Sequence, residues 1–193
     1  GRDADGPPPP QKSASGWTQG RWASGYAFDN GPVFTVKSHG YDDAEGTLEC
    51  WLLVDDAGSG TILRLTSPTS HVILLRDGNR VRYRSIAAGK EEKIVGEPMT
   101  SGWHHVRATH SAAANRIELF VDGRSQGSAP YRKTDVGQYP LYVGGFFVGF
   151  QGSIWTPLRG VMDEIRVSRI VRHEGVPRSE EHTSELQSRQ VNS

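Results

Sequence analysis

Between Gly16 and Arg172 the apolar residues of this chain recur at every second position and almost never at a period of 3.6, which excludes most folds at once. "TLECWLLV" sets Leu48, Cys50, Leu52 and Val54 on one face of a strand, with Thr47, Glu49, Trp51 and Leu53 on the other. "RIELFV" groups Ile117, Leu119 and Val121 opposite Glu118 and Phe120, and "RVRYRSI" sets Val81, Tyr83 and Ser85 against Arg82, Arg84 and Ile86. Hairpin turns are expected at Asp77-Gly78 and Asp122-Gly123, because Asp-Gly accepts the positive φ angles of a two-residue primed turn. Many short strands separated by Gly, Asn and Asp predict an all-β chain, an antiparallel two-sheet β-sandwich of the jelly-roll type.

The 193 residues carry 22 basic and 22 acidic side chains. That balance supplies neither the basic stripe of a nucleic-acid partner nor an acidic tail. No apolar run approaches the ~18 residues of a membrane helix, so no membrane partner is expected. Cys50 is the single cysteine, and alternation buries it as a small hydrophobe. Residues 1–15 are rich in Pro and Gly without apolar period and are expected to be a disordered linker. "RSEEHTSELQS", residues 178–188, resembles the translation of a sequencing adapter. Residues 178–193 are therefore expected to be an artefactual tail, disordered or a short helix, after a folded domain spanning 16–177.

"SGWHHVRATH" brings three histidines close in sequence, but a strand separates them. His104 and His105 point to opposite faces, and His104 and His110 stand about 20 Å apart at strand rise. No single metal spans that distance, so these histidines read as packing and hydrogen-bonding residues. "GRSQG", residues 123–127, fits the G-x-S-x-G nucleophile pattern, yet it follows a hairpin turn and leads into no helix. Ser125 is therefore read as a surface residue.

"GYAFDNGPVFTV", "GTLECWLLV", "SGWHHVRATHSAAANRIELFVDGRSQGS", "PLYVGG" and "LRGVMDEIRVSRIVR" occur in the order of a known family. Together they resemble the laminin G-like jelly-roll domains of the concanavalin A-like lectin/glucanase superfamily, over roughly residues 17–172. The resemblance implies two packed antiparallel sheets of six or seven strands each. It also implies an extracellular or cell-surface binding module, often attached to an enzyme or adhesion protein. The superfamily's glucanases carry a Glu-x-Asp-x-x-Glu strand, whereas here no Glu from Glu45 to Glu164 has an Asp two residues later. The expectation is a non-catalytic module recognising a polysaccharide or glycoconjugate. The alternatives are a protein adhesion or spacer domain and, more remotely, a glycoside hydrolase.

Candidate sites follow. In "GVMDEIRVSR" alternation places Asp163 on an apolar face with Val161, Ile165 and Val167, where a carboxylate needs a cation or several donors. The resemblance implies one structural Ca2+ at that last-strand aspartate with backbone carbonyls, and Asp29, at the turn in "FDNG", is the candidate second oxygen donor. The alternative is that Asp163 accepts backbone N–H bonds. For a sugar, Trp51 beside Glu49 and Trp155 in "GGFFVGFQGSIWTP" are the candidate stacking platforms. The alternative is that these rings cap the open end of the sandwich.

Overall fold

The computed structural model describes residues 16–22, 24–29, 34–55, 58–146 and 156–173. Thirteen strands and no helix occur among them. They are β1 (Gly16–Gln19), β2 (Ser24–Asp29), β3 (Phe34–Val36), β4 (Glu45–Val54), β5 (Ser59–Thr66), β6 (His71–Asp77) and β7 (Arg80–Ala87), then β8 (Lys90–Val95), β9 (Gly102–Ser111), β10 (Arg116–Val121), β11 (Arg124–Ala129), β12 (Leu141–Val143) and β13 (Arg159–Ser168). They form a seven-stranded sheet in the order β1-β2-β13-β4-β9-β10-β11 and a six-stranded sheet in the order β3-β12-β5-β6-β7-β8. Every pairing is antiparallel. This is the expected two-sheet jelly-roll sandwich. The expected linker at 1–15 and the tail at 178–193 lie outside the described residues.

The core lies between the sheets and includes the apolar residues that alternation grouped on one face of β4, β7 and β10. Leu48, Cys50 and Leu52 of β4, Val106 and Ala108 of β9, and Leu119 of β10 face Leu63 and Leu65 of β5, Val72 and Leu74 of β6 and Tyr83 of β7. Each is fully buried, and a buried Leu or Val contributes roughly 1.5–3 kcal/mol. Burial pushes the Cys50 thiol up to about 12, which leaves it inert.

Polar clamps hold the two ends of β4. Beyond Val54, the wholly buried Arg76 donates through Nε to the Gly78 carbonyl at 2.7 Å and through Nη1 to the Arg159 carbonyl at 3.2 Å. Its Nη2 meets the Asp55 carbonyl and lies 3.2 Å from that residue's carboxylate. Before Glu45, the Asp43 carboxylate accepts from Thr134 Oγ1 at 2.6 Å and from the Val136 and Gly137 amides, both at 2.9 Å. The buried Arg76 and the half-buried Asp43 are each satisfied by several partners, as their desolvation requires.

The turns agree with expectation in one case and shift in another. Val121 pairs with Arg124, so Asp122 and Gly123 form the loop, both at positive φ (51° and 76°), as a type I′ turn requires. In the other hairpin Asp77 pairs with Arg80, so the loop is Gly78-Asn79, one residue later than expected. Only Gly78 has positive φ (61°) there, the pattern of a II′ turn with Gly first. A further hairpin turns on Ala88-Gly89 at φ 51° and 71°, where alanine sits in a region that glycine or asparagine prefers.

Candidate functional site

The outer face of the seven-stranded sheet is closed over β4. Glu49 and Trp51 point away from the core, as alternation demands, but only 3% and 5% of their surfaces are exposed. Thr47 explains part of this. Its hydroxyl donates to the Ile170 carbonyl at 2.8 Å and accepts from the Arg172 amide at 3.0 Å, which ties residues 170–172 across the sheet. The Glu49 carboxylate then faces His105 Nε2 at 3.3 Å, Arg172 at 3.4 Å and Arg166 at 3.8 Å. Burial pushes its pKa up, but the bond from His105 and the two guanidinium charges outweigh burial and hold it below the usual range.

Trp51 is enclosed by the Trp22 ring, edge-on at 6.0 Å, the His105 ring at 5.4 Å and the Arg21 guanidinium at 5.3 Å. The pair expected to carry a sugar is therefore buried, because alternation tells which side a residue takes and not what covers that side. Trp155, the other expected platform, lies outside the described residues.

Asp163 also sits on this outer face, which corrects its expected placement toward the core. It pairs with Trp51, while Met162 pairs with Leu52 and takes the core position. A bulge between Asp163 and Arg166, with Glu164 at φ 49°, then resets the alternation and leaves Ile165 40% exposed.

The Asp163 oxygens accept the Arg21 amide at 2.8 Å, the Trp22 amide at 3.4 Å and the Glu164 amide at 2.8 Å. Among the described residues the groups aimed at Asp163 are N–H donors rather than the further oxygens that calcium takes. Asp29 pairs with Arg159, four positions from Asp163 along β13, or about 13 Å away at strand rise. At that separation Asp29 and Asp163 do not share an ion. The described residues hold no cluster of three His, Cys, Asp or Glu side chains.

Each histidine of the β9 segment is engaged. His104 bonds the Asp122 carboxylate through Nδ1 at 2.6 Å and the Thr100 carbonyl through Nε2 at 2.9 Å. His110 donates to the Asp42 carbonyl at 2.7 Å and stacks on Tyr41 at 4.6 Å. Burial holds its pKa below the ordinary histidine value, so it serves as a neutral donor. Ser125 lies exposed on β11, where its hydroxyl accepts the Gly127 amide at 3.3 Å.

Openings between the described residues occur on two sides of the sandwich. One is a groove of about 610 Å³ between the β2–β13 edge of one sheet and β3–β12 of the other, with Tyr26, Phe28, Phe34 and Ile165 in its walls and Trp17, 78% exposed, at its rim. Its polar groups are largely spent. Asp163 is filled as described, and His39 accepts the Tyr41 amide while donating to the Tyr139 carbonyl.

The other opening lies on the outer face of the six-stranded sheet, a shallow hollow of about 270 Å³ bounded by Leu75, Arg82, Arg84, Glu91 and Lys93. Register extends it into a rung that crosses four strand pairings, Tyr142 to Arg64 to Ile73 to Arg84 to Lys93. At its β12 end Tyr142 meets Phe146 edge-on at 5.0 Å, and the Arg64 guanidinium lies 3.7 Å above the Phe146 ring. Arg84 makes a two-point bond to Glu91, at 2.7 and 3.1 Å, which holds that carboxyl below its ordinary pKa. Sequence reasoning missed this rung. "RVRYRSI" showed arginines at alternate positions, but pairing with residues 64, 93 and 142 is non-local and left no mark in the pattern.

No curated protein matches the chain in sequence. Among solved structures, domains LG4-5 of the mouse laminin α1 chain are similar over 78% of this chain and 44% of theirs, at 19% identity and a TM-score of 0.61. Domain 4 of AbnA, a GH43 extracellular arabinanase from Geobacillus stearothermophilus solved with arabinotriose, is similar over 82% of this chain and 77% of its own, at 14% identity and a TM-score of 0.58. The Ruminococcus gnavus IT-sialidase CBM40 bound to α2,3-sialyllactose is similar over 72% of this chain and 81% of its own, at 14% identity and a TM-score of 0.53. The chain thus spans less than half of the laminin structure, and identities this low speak for the fold and not for a ligand. The profile that does reach the sequence matches residues 28–174, and on that match the chain belongs to a laminin G-like family of the concanavalin A-like lectin/glucanases superfamily.

Proposed function

We propose that this domain is a non-catalytic carbohydrate-recognition module of an extracellular or cell-surface protein, and that it reads its ligand on the outer face of the six-stranded sheet. The observation that carries this reading is the Tyr142–Phe146 pair. The two half-buried rings stand beside the cationic fork of Arg64 and the Thr66 hydroxyl. Sugar sites combine an aromatic surface for the apolar side of a pyranose with a few fixed polar groups. Similar folds bound to sialyllactose and arabinotriose support the general class. The non-catalytic part rests on chemistry. A glycosidase needs two cooperating carboxyl groups, one held protonated, whereas Glu91 on this face is committed to Arg84 and held ionised.

The test is a glycan array probed with the chain and with its Tyr142→Ala and Phe146→Ala variants. Each substitution is expected to weaken whichever glycan binds by about tenfold, the scale of one aromatic contact. Trp17→Ala, at the rim of the apolar groove rather than on this face, is expected to leave binding unchanged. Binding that ignores both ring substitutions would refute the placement on this face.

A further inference from the structure

Aromatic rings account for a sugar's apolar side but not for the cations gathered next to them. We propose that the outer face of the six-stranded sheet selects anionic glycans, chains bearing carboxylate or sulfate groups, with Arg64 as the principal anion contact and Lys93 as the second. The inference rests on the carbohydrate reading above and names its ligand class.

The geometry of Arg64 is the first support. Its Nε donates to Thr66 Oγ1 at 2.8 Å and its plane rests on Phe146, so the guanidinium is fixed in orientation. Its two terminal nitrogens have no partner among the described residues. A planar fork held that way matches the paired oxygens of a carboxylate or sulfate.

Lys93 continues the rung. Strands lie about 4.8 Å apart, so the three spacings from β5 to β8 put Arg64 and Lys93 roughly 14 Å from each other. That is a track across the sheet rather than a single point.

The carboxylates nearby offset this track only in part. Glu91 is bonded to Arg84 and also feels the charge of Lys93, and Asp77 is paired with Arg82 at the far end of the hairpin. Asp135, by the next rung, accepts from Ser67 and from Thr69 at 2.9 Å. His71 stands on that rung opposite Thr66, with a buried Nδ1 that has no hydrogen-bond partner among the described residues. Burial, then Arg64, then Arg84 hold the His71 pKa below the ordinary histidine value, against a smaller opposing pull from Asp135. Arg64 is shifted downward in the same way, by burial and then by Arg84. Arg64, Arg84 and Lys93 outnumber Glu91 over the apolar floor of Ile73, and an anion would relieve the net positive charge. The opposite sheet shows the contrast, since Arg166 and Arg172 there face the buried Glu49.

The experiment titrates the chain calorimetrically with polygalacturonate, dextran sulfate, neutral dextran and neutral arabinan, at low and at physiological salt. One or both anionic polymers are expected to bind, more weakly as salt rises, and the neutral ones not to bind. Which anionic polymer binds separates a carboxylate ligand from a sulfate ligand. Arg64→Gln is expected to cost about tenfold and Lys93→Gln about threefold, on the scale of charge-assisted and exposed ionic contacts. Arg116→Gln, an exposed cation of the other sheet, is expected to change nothing. Because Lys93 is exposed, its variant remains informative even if Arg64→Gln folds poorly. Strong binding of a neutral glycan, indifferent to salt and to Arg64→Gln, would overturn the anionic selectivity and leave the carbohydrate reading standing. Binding of no glycan would overturn both. Polyphosphate bound equally well, with Arg116→Gln as damaging as Arg64→Gln, would reduce the effect to general charge attraction and overturn the site.

Discussion

His104 should make this fold more stable in mild acid than in mild base. Both of its ring nitrogens face acceptors, the Asp122 carboxylate at 2.6 Å and the Thr100 carbonyl at 2.9 Å. Only the imidazolium can donate to both. The bond to Asp122 raises the His104 pKa against the opposing effect of burial, with help from the Thr100 carbonyl. A group whose folded pKa lies above its unfolded value, about 6.5 for histidine, contributes fully below that value. The contribution is then lost as pH rises through the folded pKa. Asp122 behaves in the opposite sense. Burial pushes its pKa up, but bonds from His104 and the His105 amide outweigh burial and hold it down. Its share is present above the unfolded carboxylate value near 4 and disappears as pH falls through the folded pKa. The pair therefore contributes most between about pH 4 and 6.5.

A charge-assisted hydrogen bond is worth about 1.5–3 kcal/mol, and with the Asp122 side chain 43% exposed solvent screening reduces it to about 1 kcal/mol. The assay compares urea unfolding of the parent and His104→Gln at pH 5.5 and 8.5. Subtracting the variant cancels the titration of every group the substitution leaves undisturbed. The parent should lose about 1 kcal/mol more than the variant over that interval, or about 2–4 °C in melting temperature for a domain of this size. Parallel pH profiles for the two proteins would refute the imidazolium assignment.

Gly144 has φ +79° and a built Cβ there would lie 1.9 Å from the Phe28 ring, so Gly144→Ala combines left-handed strain with overpacking. We expect it to cost about 3 kcal/mol in chemical unfolding, and a loss below about 1 kcal/mol would contradict the close approach. Ala88→Asn converts the Ala-Gly turn at φ 51° and 71° into Asn-Gly and should add about 0.5–1 kcal/mol in the same assay, whereas a neutral or negative effect would contradict the turn type.

What the sequence made legible was everything that repeats at period two. Leu48, Cys50 and Leu52 were assigned to the core by alternation alone and are there. Asp122-Gly123 announced its turn because both residues tolerate positive φ, while Asp77-Gly78 misled by one position because a glycine suits either kind of primed turn. β13 defeated the pattern where a bulge at Glu164 reset its phase. Asp163, predicted to face the core, therefore stands opposite to that prediction. Trp51 failed for another reason. Its side of the sheet was assigned correctly, but Trp22 and the segment tied down by Thr47 come from distant parts of the chain. The Arg64 rung was invisible because it exists only once β5, β6, β7, β8 and β12 are in register.

The two outer faces spend their charges differently, and that difference supports the proposed placement of recognition on the six-stranded sheet. On the seven-stranded sheet Glu49 is buried among His105, Arg166 and Arg172, an arrangement in which removing one partner strands a desolvated charge. Those groups are committed to the fold. On the six-stranded sheet Arg64 and Arg84 lie two strand spacings apart, where like charges repel by about 0.4 kcal/mol at the dielectric of water and about 1.7 kcal/mol at that of a protein surface. A sandwich with many core residues worth roughly 1.5–3 kcal/mol each carries that cost, and the repelling pair holds no strand in place. The exposed Arg84–Glu91 bridge adds little, about 0–1 kcal/mol. Charge on this face can therefore change without threatening the fold, which is the freedom a ligand-reading surface requires and which the sealed face around Glu49 lacks.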